Sequence, residues 1–322
     1  MLRKYALFVG VAALGALVTS CGGDDTANPT PTPTDSGTGT PTPTPTSSQV
    51  DFSVTEAFTA ESSNANAAFA YFTPDGSMDE VFNGAARLNG TAGIQFLTDP
   101  ESVTFAFPDL TDNVVFDATD FASVTATERN YARAGEKLTM LLPFAHIMQV
   151  NYELTQDFTR DTTDGTLRGT RAAFFFNRIT TEDDITADIQ YDGTVQVVGG
   201  DPGTTASDAI SAPDATISVL AANDAISGTI QIFEDVNGTP ELATTLVFQR
   251  TTNDTGAVTG GVFGSTGVVS GILTDTDNNF AGNFAGALAG PDREELLLIF
   301  SVTGNEDDDD DRRFVGRFIG QQ

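Results

Sequence analysis

The stretch that decides the fold is NFAGNFAGALAGPDREELLLIF, residues 279–300. Its glycines Gly282, Gly286 and Gly290 recur every four residues, a spacing that occurs in paired membrane helices and also in strands with glycine at alternate positions of one face. Pro291 and the charged DREE segment end the apolar run after about twelve residues, whereas a membrane-spanning helix needs about 18 or more. We therefore interpret the stretch as a strand.

Read with a period of two residues, this strand has one face that alternates large side chains with glycine. That face carries Phe280, Gly282, Phe284, Gly286 and Leu288, while the other carries alanines and one asparagine. Glycine at alternate inward positions leaves room for bulky neighbours in the tapering interior of a small barrel. The pattern therefore predicts one strand of a small, strongly curved antiparallel β-barrel.

The C-terminal segment RRFVGRFIGQQ, residues 312–322, repeats the pattern and predicts the last strand. One face carries Phe314, Gly316, Phe318 and Gly320, and Arg317 lies on the other face. The two segments together predict that the chain ends in a barrel.

Upstream, short apolar runs separated by turn residues predict further strands. VTFAFPD places Val103, Phe105 and Phe107 on one face, and TISVL, GTIQIF and TTLVFQR follow between residues 216 and 250. Asn237-Gly238 and Asp192-Gly193 are typical of hairpin turns. MDEVFNGAARL (78–88) and EKLTMLLPFAHIM (136–148) are the candidates for short helices. The balance predicts a mainly β, antiparallel fold with a few helical turns.

The first 20 residues predict an export signal that is too short for a mature membrane span. Arg3 and Lys4 precede a short apolar core, and the sole cysteine follows at Cys21. The stretch Val18-Thr19-Ser20-Cys21 resembles the bacterial lipobox, in which the cysteine receives a lipid. The alternative is an ordinary signal peptide with a chance cysteine. We interpret residues 1–20 as a lipoprotein signal peptide and Cys21 as the lipid attachment site.

Residues 21–48 are rich in threonine and proline, which alternate in PTPTPT runs. Alternating proline disfavours helix and favours an extended polyproline conformation, so this segment could span roughly 80 Å as a disordered tether. Gly22 rather than aspartate follows the cysteine, so in a Gram-negative cell an inner-membrane retention signal is absent. The lipid anchor is therefore expected in the outer membrane, with the folded domain held away from the lipid surface.

The charge of the chain argues against several partners. It has 45 acidic and 15 basic residues, for a formal net charge of −30. Nucleic acids and anionic lipid headgroups are bound through basic patches that replace counterions. We expect no nucleic-acid partner, and membrane contact only through the lipid anchor.

No set of residues in the sequence predicts an enzyme, a metal site or a cofactor. His146 is the sole histidine and lies among apolar residues, which favours a core or interface role, with a haem or metal ligand as the alternative. Asp275, Asp277 and Asn279 occupy the first odd positions of an EF-hand-like loop, but the required glycine and glutamate are missing, so a hairpin turn explains them better. The acidic run Glu306–Asp311 predicts a solvated loop, with a weak cation site as the alternative.

Residues 170–322 resemble the C-terminal part of the transferrin-binding protein B family. The resemblance rests on the Gly-Phe strands of residues 260–304, the Gly290-Pro291 turn with Glu294 and Glu295 behind it, and the final Gly-Phe strand; AAFFFNRITTEDDITADIQYDGTVQVV, residues 172–198, is similar to the segment that enters the family's barrel. The chain departs from the family where Leu296 and Leu297 replace a glycine pair. The resemblance implies a β-rich handle-like domain over 49–185 and an antiparallel barrel of about eight strands over 186–322.

The resemblance also implies a function. Single-lobe members of this kind are surface lipoproteins, so we expect a non-catalytic, surface-exposed outer-membrane lipoprotein. It would bind a protein, haem or iron carrier for nutrient acquisition, with a TonB-dependent receptor as a possible partner. The alternative is a structural or adhesive surface lipoprotein without a role in transport.

Overall fold

The computed structural model describes residues 51–203, 210–236, 238–249, 251–252, 258–259, 261–263, 267–275, 277–304 and 312–322. All regular elements in these ranges are β-strands, and every pairing between them is antiparallel. This confirms the mainly β, antiparallel fold class.

Within the described ranges there is no helix with the length and apolar character needed to cross a bilayer.

Eleven strands precede residue 177 and form two sheets, which we call the handle. The strands are β1 Phe58–Ser63, β2 Asn66–Pro74, β3 Val81–Leu88, β4 Thr91–Thr98, β5 Glu101–Ala106, β6 Val114–Asp117, β7 Phe121–Val124, β8 Glu128–Arg133, β9 Glu136–Leu141, β10 Ile147–Arg160 and β11 Thr163–Phe176. The smaller sheet has the order β1-β4-β5-β6, and the larger has the order β3-β2-β11-β10-β9-β8-β7. The long β10–β11 hairpin occupies the middle of the larger sheet.

The handle has an aromatic core between its two sheets. Val103, Phe105 and Phe107 are all buried in it, as their shared face predicts. They pack with side chains of the larger sheet such as Tyr131 and Tyr152. Burial of this apolar area is the main force that holds the two sheets together.

Twelve further strands follow. They are β12 Ile189–Gly200, β13 Ala215–Leu220, β14 Ala225–Ser227, β15 Thr229–Val236, β16 Thr239–Gln249, β17 Thr251–Thr252, β18 Val258–Thr259, β19 Gly261–Phe263, β20 Val268–Asp275, β21 Phe280–Ala289, β22 Glu295–Gly304 and β23 Arg313–Gln321. Their pairings run β12-β13-β14-β19-β20-β21-β22-β23 and return to β12. The ring is narrowest between β14 and β19, where the one registered pair is Ala225↔Gly261. The β15–β16 hairpin attaches to the C-terminal half of β20. We call this nearly closed sheet the barrel.

The opening stretch is a barrel strand, β21, with the predicted inward face. Phe280, Phe284 and Leu288 lie in the barrel core together with Phe314 and Phe318 of the last strand. The central strand β22 explains the glycines. Each of its four inward side chains faces one glycine and one large residue: Leu296 faces Leu288 and Gly320, Leu298 faces Gly286 and Phe318, Phe300 faces Phe284 and Gly316, and Val302 faces Gly282 and Phe314. Glycine thus gives each bulky residue space on one side.

Three local predictions are wrong. The segment 78–88 contains strand β3 and the segment 136–148 contains β9 and the start of β10, so neither is helical. β3 pairs with β2, and β9 pairs with both β8 and β10, and this tertiary pairing overrides a weak local preference. Asp192-Gly193 lies inside β12 and is not a hairpin turn, whereas the strands on either side of Asn237-Gly238 do pair as a hairpin up to Val236↔Thr239.

The larger handle sheet packs on the outer face of the barrel. The shared core contains mostly small and apolar side chains from the handle and outward apolar side chains from the barrel. They are Ala65 just before β2, Ala67 of β2, Ile147 of β10, Ala172 and Phe174 of β11, Ala289 of β21, Leu297 and Ile299 of β22, and Val315 and Ile319 of β23. Arg87 of β3 also donates from Nε to the Asn283 side chain of β21 at 2.9 Å. The small alanine side chains let the two sheets approach closely, and one unbroken core joins them.

Candidate functional site

A cavity of about 170 Å³ lies between the handle sheet and the barrel wall. It is continuous with the core that joins the two parts, because Ala67, Phe174, Ile299 and Val315 belong to both. Its walls come from neighbouring strands that are distant in sequence. The cavity therefore exists only when the handle and the barrel are packed together.

The handle wall is one face of three adjacent strands. Phe69 of β2 lies opposite Thr170 of β11, and Gln149 of β10 lies opposite Phe174 of β11. Because side chains alternate between the two faces of a strand, this register places all four on the same side. The wall is apolar at Phe69 and Phe174 and polar at Thr170 and Gln149.

The barrel wall comes from the outward positions of three strands. Gln196 of β12 and Ile299 of β22 flank Arg317 of β23 in register, and Val315 lies two residues before Arg317 on the same face. The inward face of β23 is filled by Phe314 and Phe318. Arg317 must therefore point away from the barrel core, and the handle covers it.

Arg317 is a buried cation with few partners. Arg317 is only 7% exposed. Its guanidinium stacks over the Phe174 ring, with 5.7 Å between Cζ and the ring centroid. Nη2 donates to the Gln196 side-chain oxygen at 2.8 Å, while the buried Nε has no hydrogen-bond partner. Among the described residues, no carboxylate forms an ion pair with it. Burial lowers the pKa of the Arg317 guanidinium to about 10.

Gln149 is a second buried residue with a polar atom that lacks a hydrogen-bond partner. Its Nε2 donates to the Asn151 side-chain oxygen at 2.7 Å, but its Oε1 is buried without a hydrogen-bond donor. A buried polar atom without a partner costs about 1–3 kcal/mol. Two such atoms, one donor and one acceptor, at the edge of one cavity indicate a place where a ligand can complete the hydrogen bonding.

The lining of the cavity suits binding better than chemistry. The side chains around it are apolar or neutral except for Arg317. A guanidinium stays protonated at neutral pH and cannot act as a general base. A mostly apolar cavity with a few convergent polar groups is the usual form of a small-molecule binding site.

His146 lies at a different place, the junction between the handle and the turn after β21. Its backbone N–H donates to both Glu295 carboxylate oxygens at 3.1 Å, and its Nδ1 is 3.6 Å from the Asp51 carboxylate. Burial raises the pKa of Glu295, and the hydrogen bonds from the backbone oppose that rise. The ring packs beside Gly290, where a β-carbon would crowd it. His146 is thus a buried residue that joins the two parts.

The residues that carry the family resemblance meet at the same junction. Gly290 has a φ of 86° and donates its N–H to the Asn177 carbonyl at 3.1 Å. The Tyr191 hydroxyl donates to the Arg293 carbonyl at 2.8 Å, and burial raises the pKa of Tyr191. The Gly290-Pro291 turn, Tyr191 and Glu295 therefore hold the polypeptide where it passes from handle to barrel, and they do not line the cavity.

Asp275 lies at the hairpin turn between β20 and β21. Its carboxylate accepts hydrogen bonds from the Thr245 and Asn278 backbone N–H groups and from the Thr244 hydroxyl, at 2.7–3.2 Å. Its oxygens are thus occupied by donors from the turn and from β16. Within the part of the chain that the structure describes, no group of three or more His, Cys, Asp or Glu side chains is arranged to hold a metal. Cys21 and the acidic run Glu306–Asp311 lie outside the described residues.

Sequence reasoning placed Arg317 on the outward face of the last strand but gave it no role. The signal that could have singled it out is a charged residue in the middle of RFVGRFIG, a strand that is apolar on both faces. Gln149 in HIMQV has the same signal. Only the packing of the two sheets shows that both side chains border one cavity.

No family model and no curated protein matches the chain. Among solved structures, it is similar to the isotype 1 transferrin-binding protein B from serogroup B Neisseria meningitidis, with 13% identity and a TM-score of 0.37, over 79% of this chain and 43% of that one. It is also similar to two variants of transferrin-binding protein B from Haemophilus parasuis Hp5. These are 13% and 11% identical with TM-scores of 0.36, over 76% and 83% of this chain and 54% and 61% of theirs. The chain therefore spans roughly half the length of these proteins.

Proposed function

We propose that the chain is a non-catalytic, ligand-binding lipoprotein, anchored in the outer membrane through Cys21 and carried beyond it by the threonine- and proline-rich segment. One observation supports the binding role above all: the cavity between the handle and the barrel, with its unsatisfied Arg317 and Gln149 atoms. An apolar cavity that contains unsatisfied polar groups is costly unless a ligand or ordered water completes it. A bound ligand that completes these hydrogen bonds would offset the cost of burying the two polar groups.

The volume of the cavity bears on which ligand is captured. At about 170 Å³ it is below the 300–1,000 Å³ that is usual for drug-sized ligands. It therefore favours a small molecule, or a small group of a larger iron carrier, over an extended protein surface. Capture at the cell surface and delivery to a TonB-dependent receptor would make this a nutrient-acquisition protein.

The anchor is tested by replacing the predicted lipidated residue. Cys21→Ala removes the thiol that would carry the lipid, and stable anchoring requires acyl chains. We expect the wild-type chain in the outer-membrane fraction and the variant as a soluble exported protein, measured by fractionation and immunoblotting. Cys21→Ser is the matched control, because it keeps the size of the side chain and should behave like the alanine variant. Membrane retention of both variants would contradict the anchor.

The acquisition role is tested in cells. Protease added to intact cells should digest the domain if it is on the outside. A deletion strain should grow more slowly when iron or haem is limiting, and the wild-type gene should restore growth where the Cys21→Ala variant does not. Unchanged growth of the deletion strain, with the domain on the surface, would favour the structural or adhesive alternative.

A further inference from the structure

We propose that the cavity between the handle and the barrel binds a small carboxylate with an apolar body, and that Arg317 recognises the carboxylate. The inference rests on the proposed function in that it places the ligand in the same cavity. It goes further by assigning the chemical class of the ligand and the residue that selects it.

Two buried arginines of the chain differ in their partners. Arg129 and Arg317 are similarly buried, at 8% and 7% exposure. Arg129 has a complete set of partners: Glu101 at 2.5 Å, the Tyr131 hydroxyl at 2.6 Å and the Val54 carbonyl. Arg317 has Gln196 alone and no carboxylate within the described ranges. The fold thus provides a carboxylate for one buried arginine and leaves the other without one.

The composition of the chain makes this omission informative. Acidic residues outnumber basic residues by 45 to 15, so a carboxylate partner would be easy to supply. A buried charge is stable when it is paired, and breaking such a pair is strongly unfavourable. The carboxylate that Arg317 lacks is therefore most simply supplied from outside the chain.

The geometry of the Arg317 guanidinium also suits a carboxylate. Arg317 uses Nη2 for Gln196, while Nε has no acceptor. A guanidinium presents its N–H groups in a planar fork that matches the two oxygens of a carboxylate. A carboxylate at this edge of the cavity would satisfy the free donors and neutralise the buried charge.

The rest of the cavity has a mostly apolar lining. Phe69, Phe174, Ile299 and Val315 give it apolar walls. An engineered apolar cavity of about 150 Å³ is known to hold benzene, and this cavity has about 170 Å³. A ligand with a compact apolar body attached to the carboxylate would therefore fill it. The Gln149 side-chain oxygen, which receives no hydrogen bond, would favour a ligand that also carries a hydroxyl or amine group.

Benzoate is a suitable probe, and benzamide is its neutral isostere. Titration calorimetry of the full chain should give a benzoate dissociation constant of about 1 mM or lower. Benzamide should bind at least about tenfold more weakly, since only the ionised group pairs with the guanidinium. Equal binding of the two compounds would overturn the proposal, as would tighter binding of inorganic phosphate than of benzoate.

The residue is tested by Arg317→Met, with Arg313→Met as the matched control, because Arg313 is an exposed arginine on the same strand. Arg317→Met should weaken benzoate binding at least about tenfold, whereas Arg313→Met should leave it unchanged. Replacement of a buried, unpaired charge by a hydrophobic residue of similar length is often neutral or stabilising, so we expect Arg317→Met to fold with a melting temperature no lower than that of the wild type.

Benzoate binding that survives in a folded Arg317→Met variant would overturn the proposal. That result would leave the growth phenotype of the deletion strain untouched, and so would separate failure of this inference from failure of the acquisition role. If the deletion strain grew normally while benzoate binding remained intact and dependent on Arg317, the acquisition role would fail and this inference would stand.

Discussion

At the scale of single residues, glycine sets how closely the barrel strands approach. A β-carbon at Gly286 would overlap the Leu297 carbonyl oxygen of the neighbouring strand. Gly286→Ala must therefore push β21 away from β22, and we expect it to lower the free energy of unfolding by about 2 kcal/mol or more. Urea unfolding followed by circular dichroism measures the change.

Gly169→Ala is the matched control for that substitution. Gly169 is also inside a strand, β11, but a β-carbon there would meet no atom within 4 Å. Alanine should be neutral or slightly stabilising at this position, within about 1 kcal/mol, because it restricts the unfolded chain. If both variants lost the same stability, the cause would be the general loss of a glycine and not the close approach of two strands.

The alternating face of residues 280–288 could be predicted from the sequence, because a period of two follows from strand geometry alone. The role of Arg317 could not. Its position fixes the face on which it lies, but its burial depends on Phe174, which comes from a strand more than a hundred residues earlier. The local sequence determines on which face of a strand a residue lies, but it does not determine which residue packs against it across an interface.

At the scale of elements, Asp275 ties the β20–β21 hairpin to β16. Burial by itself would raise the pKa of this carboxyl, but hydrogen bonds from Asn278, Thr245 and Thr244 outweigh burial and lower the pKa from 3.8 to about 2. A depressed carboxyl pKa stabilises the fold at pH values above 3.8, and the contribution is lost as the pH falls through about 2. Asp275→Asn should therefore cost about 2 kcal/mol at pH 7, a cost that shrinks between pH 4 and pH 2.

Asp277→Asn tests whether the position in the turn matters. Asp277 is exposed in the same turn, so its replacement should change the free energy of unfolding by less than about 0.5 kcal/mol. Denaturant unfolding of both variants across the acidic pH range measures the two effects. A gap between wild type and Asp275→Asn that stays constant down to pH 2 would show that the charge of Asp275 does not stabilise the hairpin.

The elements themselves were only partly predictable. DTDNN was correctly interpreted as a hairpin turn because its EF-hand positions are incomplete. Residues 78–88 were not interpreted correctly, because a short mixed run does not distinguish a helix from a strand. They form β3 through pairing with β2, in which Asn83 is the extra residue of a bulge opposite the step from Ala70 to Tyr71. That pairing partner is not visible in the local sequence.

At the scale of the whole molecule, the handle and the barrel share a core, and this core depends on the outward face of β22. Leu296 points into the barrel, and Leu297 points outward and is fully buried against the handle. Each leucine thus adds a large apolar side chain to one of the two cores.

Leu297→Ala is expected to lower the free energy of unfolding by about 2–5 kcal/mol, because it leaves a void between two packed sheets. Since the handle and barrel share this core, the loss should destabilise both together, and calorimetry should show one transition at a lower temperature. Thr303→Ala is the control, because Thr303 is an outward residue of the same strand that is exposed, and it should change stability by less than about 0.5 kcal/mol. A variant in which the handle keeps its wild-type melting temperature while the barrel melts earlier would show that the two fold independently. In that case the cavity could open without either part unfolding.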